Sequence, residues 1–279
     1  MFIAFVVVFI LLAVGAYFYV QHQSFHGMVW EEVRDMVGEH PVALDVVRER
    51  DSLPAPMRRY LDWALPGDRA PATFARLRHG GTFRRSADED WFSIRGEQYY
   101  ATAEPAFIWA ATMKMNPLLW VRGRDKYVDG RGHMLIRLLS AITVVDAAGP
   151  EMDRSTLLRY MSEMPWFPTA FLTVPGIEFS APDDSTVELR MTHAGHTVSG
   201  RFTIAADGAV TRFYTEDRYR EMEGEMVRMP WYGEYADPKL FDGMRIPTAA
   251  EVAWQTPEGP LPYVRIAIER MEYDVPLPF

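Results

Sequence analysis

The sequence predicts an α+β protein that is mostly β: a curved, half-barrel-like antiparallel sheet with a helical insertion, preceded by an N-terminal transmembrane helix and a short helical neck. Three observations predict it. Residues 2–20, FIAFVVVFILLAVGAYFYV, are uncharged and almost wholly apolar. From about residue 74 apolar and polar residues alternate with period two, punctuated by turn pairs such as Asp129-Gly130, Asp207-Gly208 and Asp242-Gly243. Between two sets of such strands, the stretch at about 153–172 changes to helical spacing. The resulting division is an anchor at 1–21, a neck at 22–70 and a β domain at 71–279.

The anchor has the length that about 30 Å of hydrocarbon requires. Tyr17 and Tyr19 stand at its downstream end, where amphipathic rings favour the membrane interface. The alternative is a cleaved signal peptide with Val14-Gly15-Ala16 as its cleavage site. The length of the run and the lack of a basic leading segment favour the anchor. No Lys or Arg precedes Arg34, so flanking charge does not set the orientation.

Downstream, Phe25, Met28, Val29, Val33, Met36 and Val37 recur at helical spacing and predict a neck helix packed on the domain. A second short helix is expected over 52–68. Pro56 suits its first turn, Met57, Tyr60, Leu61, Ala64 and Leu65 form its apolar face, and Pro66-Gly67 stops it. Strands are expected over 77–84, 90–101, 105–115, 119–128 and 133–145, then over 186–192, 198–205, 210–219, 245–255 and 263–273. The run 215–226, TEDRYREMEGEM, reads as a solvated strand and turn. In the insertion, Asp153 is the expected N-cap, Leu157, Leu158, Met161 and Met164 line one face, and Pro165 ends the helix. A sheet of so many strands must curl or split. An insertion between its halves is therefore expected across the concave side.

The blocks at 53–67, 123–172 and 251–274 resemble a bacterial membrane-anchored domain family of unknown function. The resemblance covers most of the chain after the anchor and implies no catalytic residue. The meander with its helical insertion is also loosely similar to the half-barrel of periplasmic lipoprotein carriers of the outer-membrane localisation system. That similarity implies a concave face holding acyl chains beneath short helices. It also implies a single-pass protein of the cytoplasmic (inner) membrane whose domain is extracytoplasmic.

Composition narrows the function. A net charge of -9 with scattered basic residues argues against nucleic acid. The absence of cysteine removes disulfides, thiolate metal sites and a cysteine nucleophile. No G-x-S-x-G elbow, P-loop, G-x-G-x-x-G or H-E-x-x-H motif occurs. His193 and His196 flank a hairpin turn with no third ligand nearby, so neither a metal nor a cofactor is expected.

The apolar residues carry the leading expectation. Phe107, Trp109, Met113 and Met115 share one strand face, large and adaptable, and Trp166, Phe167 and Phe171 are placed to close over it. MSEMPWFPTAFL, residues 161–172, would then be a lid over a pocket for a lipid or other apolar ligand. Arg137, alone in an apolar run, is the expected polar contact for a ligand carboxylate or phosphate. Two other readings use the same residues. One is a hydrolase or isomerase with Asp146 or Glu163 as acid or base. The other is a protein-interaction module at the membrane, whose partner the sequence does not name.

Overall fold

The computed structural model describes residues 2–39, 44, 46–67, 69–116, 119–222 and 224–279. Several residues of the expected neck (40–43, 45 and 68), together with Glu223 of the charged run, lie outside these. The apolar N-terminal run and the first neck segment form one unbroken helix, α1 (Phe2–Glu39). Its first half is long and apolar enough to cross a membrane, and it is exposed in the folded chain. Its second half turns Phe25, Val29, Val33 and Met36 to the sheet, where they are buried with Phe74, Tyr99, Ala106, Ile108 and Leu135. Spacings of four, four and three residues place these side chains on one helix face. Each such buried side chain contributes about 1.5–3 kcal/mol, so the neck is fastened to the domain along this seam. A short helix, α2 (Ala55–Ala64), buries Pro56, Met57, Tyr60, Leu61 and Ala64.

The strands follow as β1 (Phe74–Phe83), β2 (Phe92–Ala101), β3 (Ala106–Asn116), β4 (Leu119–Val128), β5 (Arg131–Leu138) and β6 (Ile142–Ala148). The insertion supplies α3 (Pro150–Glu163) and α4 (Ala170–Thr173). Then come β7 (Ile177–Ser180), β8 (Thr186–His193), β9 (His196–Ile204), β10 (Val210–Met222), β11 (Glu225–Phe241), β12 (Met244–Thr256) and β13 (Gly259–Tyr273). Every pairing is antiparallel, in one sheet of order β6-β5-β4-β3-β2-β1-β13-β12-β11-β10-β9-β8-β7. The chain winds outward from β1 to β6, crosses through α3 and α4 to the far edge, and winds back until β13 pairs with β1. The edge strands β6 and β7 do not pair, so the curved sheet stays open.

Four elements differ from the sequence reading, the first being the short edge strand β7 (Ile177–Ser180), which was not expected. The stretch 133–145 is two strands, reversed at Leu139 and Ser140 with φ of 52° and 65°. Ser140 is its one turn-favouring residue and it contains no Gly, Asn, Asp or Pro, so its compositional mark is weak. β11 was not expected, because Pro230, Gly233 and Pro238 lower its strand character. Asp153 is not the N-cap: α3 starts at Pro150, and the Asp153 carboxylate accepts a hydrogen bond from the Gly132 N–H at 2.6 Å. That bond ties α3 to β5. Gly132 also permits the approach, since a Cβ there would lie 2.2 Å from Thr156 Oγ1.

The α3 helix lies across the concave side and touches β4, β5 and β6 on one half and β9 and β10 on the other. Residues 161–174 are all buried. Phe167 packs on Tyr100 with centroids 4.4 Å apart, and Phe171 sits between Tyr60 of α2 and Phe202 of β9 at 5.6 Å from each. MSEMPWFPTAFL is therefore mostly interior packing, with Ser162, Glu163 and Trp166 reaching the remaining cavity, and it is not an exposed docking surface. Its prolines let one short segment turn a corner inside the half-barrel and fill it with Met and aromatic side chains.

Candidate binding cavity

The insertion does not fill the whole concavity. A cavity of about 220 Å³ remains between the C-terminal end of α3 and the strands from β5 through β1 and β13 to β10. Its walls are mainly apolar: Phe83, Ile94, Trp109, Met113, Ile136, Trp166, Trp231 and Val252. A larger depression of about 530 Å³ lies on the other face of β7–β10, lined by Glu178, Glu188, Arg190, Arg201 and Arg228. It is an open, polar trough without the enclosed apolar wall that a small-molecule site needs.

Trp109 is held at the cavity wall by a built contact. Its indole N–H donates to His79 Nε2 at 2.9 Å, and the two rings lie nearly parallel with centroids 6.3 Å apart. The space for His79 exists because residue 96 is glycine: a Cβ there would meet His79 Nε2 at 2.4 Å. Accepting from the indole requires His79 to be neutral at Nε2. Burial depresses its pKa to about 4. The unfolded chain takes up this proton near pH 6.5, about 2.5 units earlier. Stability is therefore full above pH 6.5, falls by about 3 kcal/mol as the pH drops to 4, and is flat for this group below that. Urea midpoints measured across this interval should fall, and His79→Gln should flatten the decline.

The floor carries a buried charge network. Arg159 donates to Asp125 Oδ2 at 2.7 Å, to Glu163 Oε1 at 2.8 Å and to Gln98 Oε1 at 3.3 Å. Glu163 Oε2 accepts from Gln98 at 2.6 Å and from the Tyr100 hydroxyl at 3.1 Å. Burial alone would lower the pKa of Arg159, but Glu163 and Asp125 raise it above its ordinary value and keep the guanidinium charged. The α3 helix sets this geometry, since Arg159 and Glu163 are four residues apart on one face.

Arg218 is not hydrogen-bonded into that network, although Asp125 and Glu163 lie near enough to favour its charge and Arg159 to oppose it. Its guanidinium stacks over Trp231 at 4.2 Å and lies 5.7 Å from Trp254. No hydrogen bond or ion pair ties it to any described residue, and its Nη1 is buried without a partner. Burial lowers its pKa. A β-bulge aims it inward. Thr215 pairs with Trp231 and Arg218 with Met229, so three steps on β10 match two on β11. Such a bulge exchanges the faces of the side chains beyond it. The Thr215 hydroxyl stabilises the bulge by accepting from the Asp217 N–H at 3.0 Å. Three more buried atoms of cavity-lining residues lack a hydrogen bond; Arg124 Nε is ion-paired with Glu32 at 3.1 Å, which leaves the Trp166 indole N–H and Asp125 Oδ1 unpaired. The unpaired groups are thus two donors and one acceptor.

The structure separates the residues singled out from sequence. Trp109, Met113, Trp166 and Glu163 line the cavity together. Phe107, Phe167 and Phe171 are fully buried core behind it. Met115 is half-buried near the end of β3 and is not part of the lining. Arg137 lies on the opposite face of the sheet, with its guanidinium 5.9 Å from the Phe25 ring of α1. Strand alternation explains this correction: Met134 and Ile136 of β5 face the cavity, so Arg137 faces away. Asp146 is exposed on β6 and bonds His133 Nε2 at 2.7 Å, so it forms no acid–base pair with Glu163. His193 and His196 are engaged by Glu104 and Asp153 respectively. Sequence reading missed Arg218, Arg159 and His79. The Arg159–Glu163 spacing was a legible signal; the bulge at 215–218 was not.

A family model described as a family of unknown function, DUF6544, matches residues 46–266. No curated protein matches the chain in sequence. Among solved structures, the chain is similar to a DUF1329 family protein from Desulfovibrio piger, with 12% identity over 74% of this chain and 88% of that one, at a TM-score of 0.45. A LolA superfamily protein from Nitrosomonas europaea overlays with 9% identity over 78% of this chain and 91% of that one, at a TM-score of 0.41. A β-barrel-like DUF1849 protein from Brucella abortus gives 9% identity, coverage of 74% and 100%, and a TM-score of 0.21. Likenesses this distant do not bear on ligand or activity.

Proposed function

The chain belongs to the DUF6544 family of unknown function, and from its own cavity we propose that it is a membrane-anchored binding protein for an amphiphile with one apolar chain and an anionic head. The carrying observation is Arg218: a half-buried guanidinium on the cavity wall that no carboxylate pairs directly and whose Nη1 is buried without a partner. A buried cation without a partner is costly, and a carboxylate or phosphate oxygen supplies what it lacks. The surplus of unpaired donors over acceptors favours the same acceptor-rich head. Sites for drug-sized ligands usually measure about 300–1,000 Å³. At about 220 Å³ this cavity suits one chain and not two. Trp109, Met113 and Trp166 would contact the chain, and Arg218 takes the role first assigned to Arg137.

Filling the cavity tests this reading. Val252→Trp places an indole in the lining of β12. It is expected to abolish retention of a fluorescent fatty acid while leaving the urea midpoint within about 1 kcal/mol of the parent, since the space is already present. Unchanged retention would remove the cavity from consideration. An active alkaline phosphatase fused after Phe279 would place the domain on the extracytoplasmic side.

A further inference from the structure

We infer that the domain sits on the bilayer with the mouth of this cavity facing the leaflet that α1 enters. This orientation deepens the binding reading above and rests on it only for the identity of the ligand. Its first support is the course of α1. His22 lies 3.4 Å from Arg122, and ten residues later Glu32 lies 3.1 Å from Arg124 and 2.8 Å from Lys126. The helix therefore runs alongside β4 in the same direction, with its N-terminal end toward Leu119. Residues 2–20, about 29 Å of helix at 1.5 Å per residue, lead toward that end of the strand and past it.

Cross-strand register then locates the cavity relative to that exit. Val121 of β4 pairs with Met113, Met113 with Ile94, and Ile94 with Gly81. Phe83, two residues on, pairs with Val264, and Val264 with Val252. Cavity-lining residues of five strands thus stand level with Val121, at the end from which the apolar half of α1 departs. Toward the opposite end the concavity is closed by the fully buried Tyr100, Phe107 and Phe167. On the α1 side, Phe83, Ile136 and Tyr263 remain only half-buried. The opening is therefore at the rim where α1 leaves.

That rim suits a lipid surface. The β5–β6 hairpin there carries Ile142 and Val144, 56% and 54% exposed. Leu240, 60% exposed, lies by the β11–β12 hairpin at the opposite rim, and the exposed Leu277 belongs to the C-terminal tail. Behind the rim, Arg122 and Arg137 flank Phe25 at 4.8 and 5.9 Å, and neither has a carboxylate partner among the described residues. They stand beside the first residues after the apolar run, the level of lipid phosphates. A ligand leaving the leaflet here would enter the cavity without crossing water.

The chain has no cysteine, so single labels can be placed cleanly. The full-length chain carrying Val144→Cys, Ile142→Cys or Leu240→Cys, labelled with a fluorophore, is reconstituted into phosphatidylcholine–phosphatidylglycerol vesicles containing a headgroup-proximal nitroxide lipid. Labels at 144 and 142 are expected to lose most of their emission to the nitroxide and to resist aqueous iodide. The label at 240 should show the reverse. Equal iodide quenching at all three positions, or a chain that does not float with the vesicles, would overturn the orientation. Solvent extraction of the same preparations reports the ligand separately. Bound lipid with both rims in water would keep the cavity reading and defeat this one. Quenched rim labels with no bound lipid would do the opposite.

Discussion

Replacing Arg159 with leucine is expected to destabilise the domain by about 3–5 kcal/mol, the largest effect of any single substitution in the cavity. The cause is what remains. Asp125 and Glu163 would be two buried carboxylates without the guanidinium that now lies 2.7 and 2.8 Å from them. The lost stacking of Arg159 on Phe107 and Trp109, at 5.1 and 5.0 Å, adds a smaller amount. Guanidinium unfolding midpoints measure this directly. Adding Asp125→Asn and Glu163→Gln to Arg159→Leu should recover much of the loss, because the stranded groups are then uncharged. A loss that the triple variant does not relieve would assign the role of Arg159 to packing.

The same change at Arg218 should have the opposite profile. Arg218→Leu strands no carboxylate, since the native guanidinium has no ion-pair partner. It removes the stacking on Trp231 and also the cost of a buried charge. The net change in stability is expected to lie within about 1 kcal/mol of zero. Affinity for a long-chain carboxylate should fall about 10- to 100-fold, the worth of one charge-assisted hydrogen bond. Displacement of a fluorescent fatty acid measures the affinity, and urea unfolding measures the stability. A variant that keeps its affinity but unfolds early would make Arg218 a structural residue. The pairing of the two arginines is diagnostic: one holds the fold together, and the other is tolerated by the fold for another reason.

Much of this architecture was legible because it is periodic. Alternation along β8 and β9 exposed their inward faces, and the spacing of Phe25, Val29, Val33 and Met36 exposed the seam of α1. The misreadings share a physical origin. A turn through Leu139 and Ser140 uses residues that ordinarily avoid positive φ, so tertiary packing decides it and local propensity does not. Arg137 stands among Leu135, Ile136 and Leu138, so apolar residues on both faces of β5 leave open which face meets the cavity. Arg218 was hidden by a one-residue bulge, which inverts in or out for everything beyond it. The segment at 161–172 stands out in composition, and Met and aromatic density serves an irregular core as well as it serves a roof: Phe167 and Phe171 are core, while Ser162, Glu163 and Trp166 reach the cavity.

The most direct test of the binding reading is native mass spectrometry of residues 21–279, expressed in bacteria and purified without detergent. This form loses only the exposed first half of α1 and keeps the packed neck. The parent chain is expected to carry a reproducible added mass that organic solvent releases as a single-chain lipid or fatty acid. The Val252→Trp chain should carry none, and the Arg218→Leu chain much less. Bare protein mass in the parent, with no mass gained on incubation with long-chain fatty acids, would contradict the account.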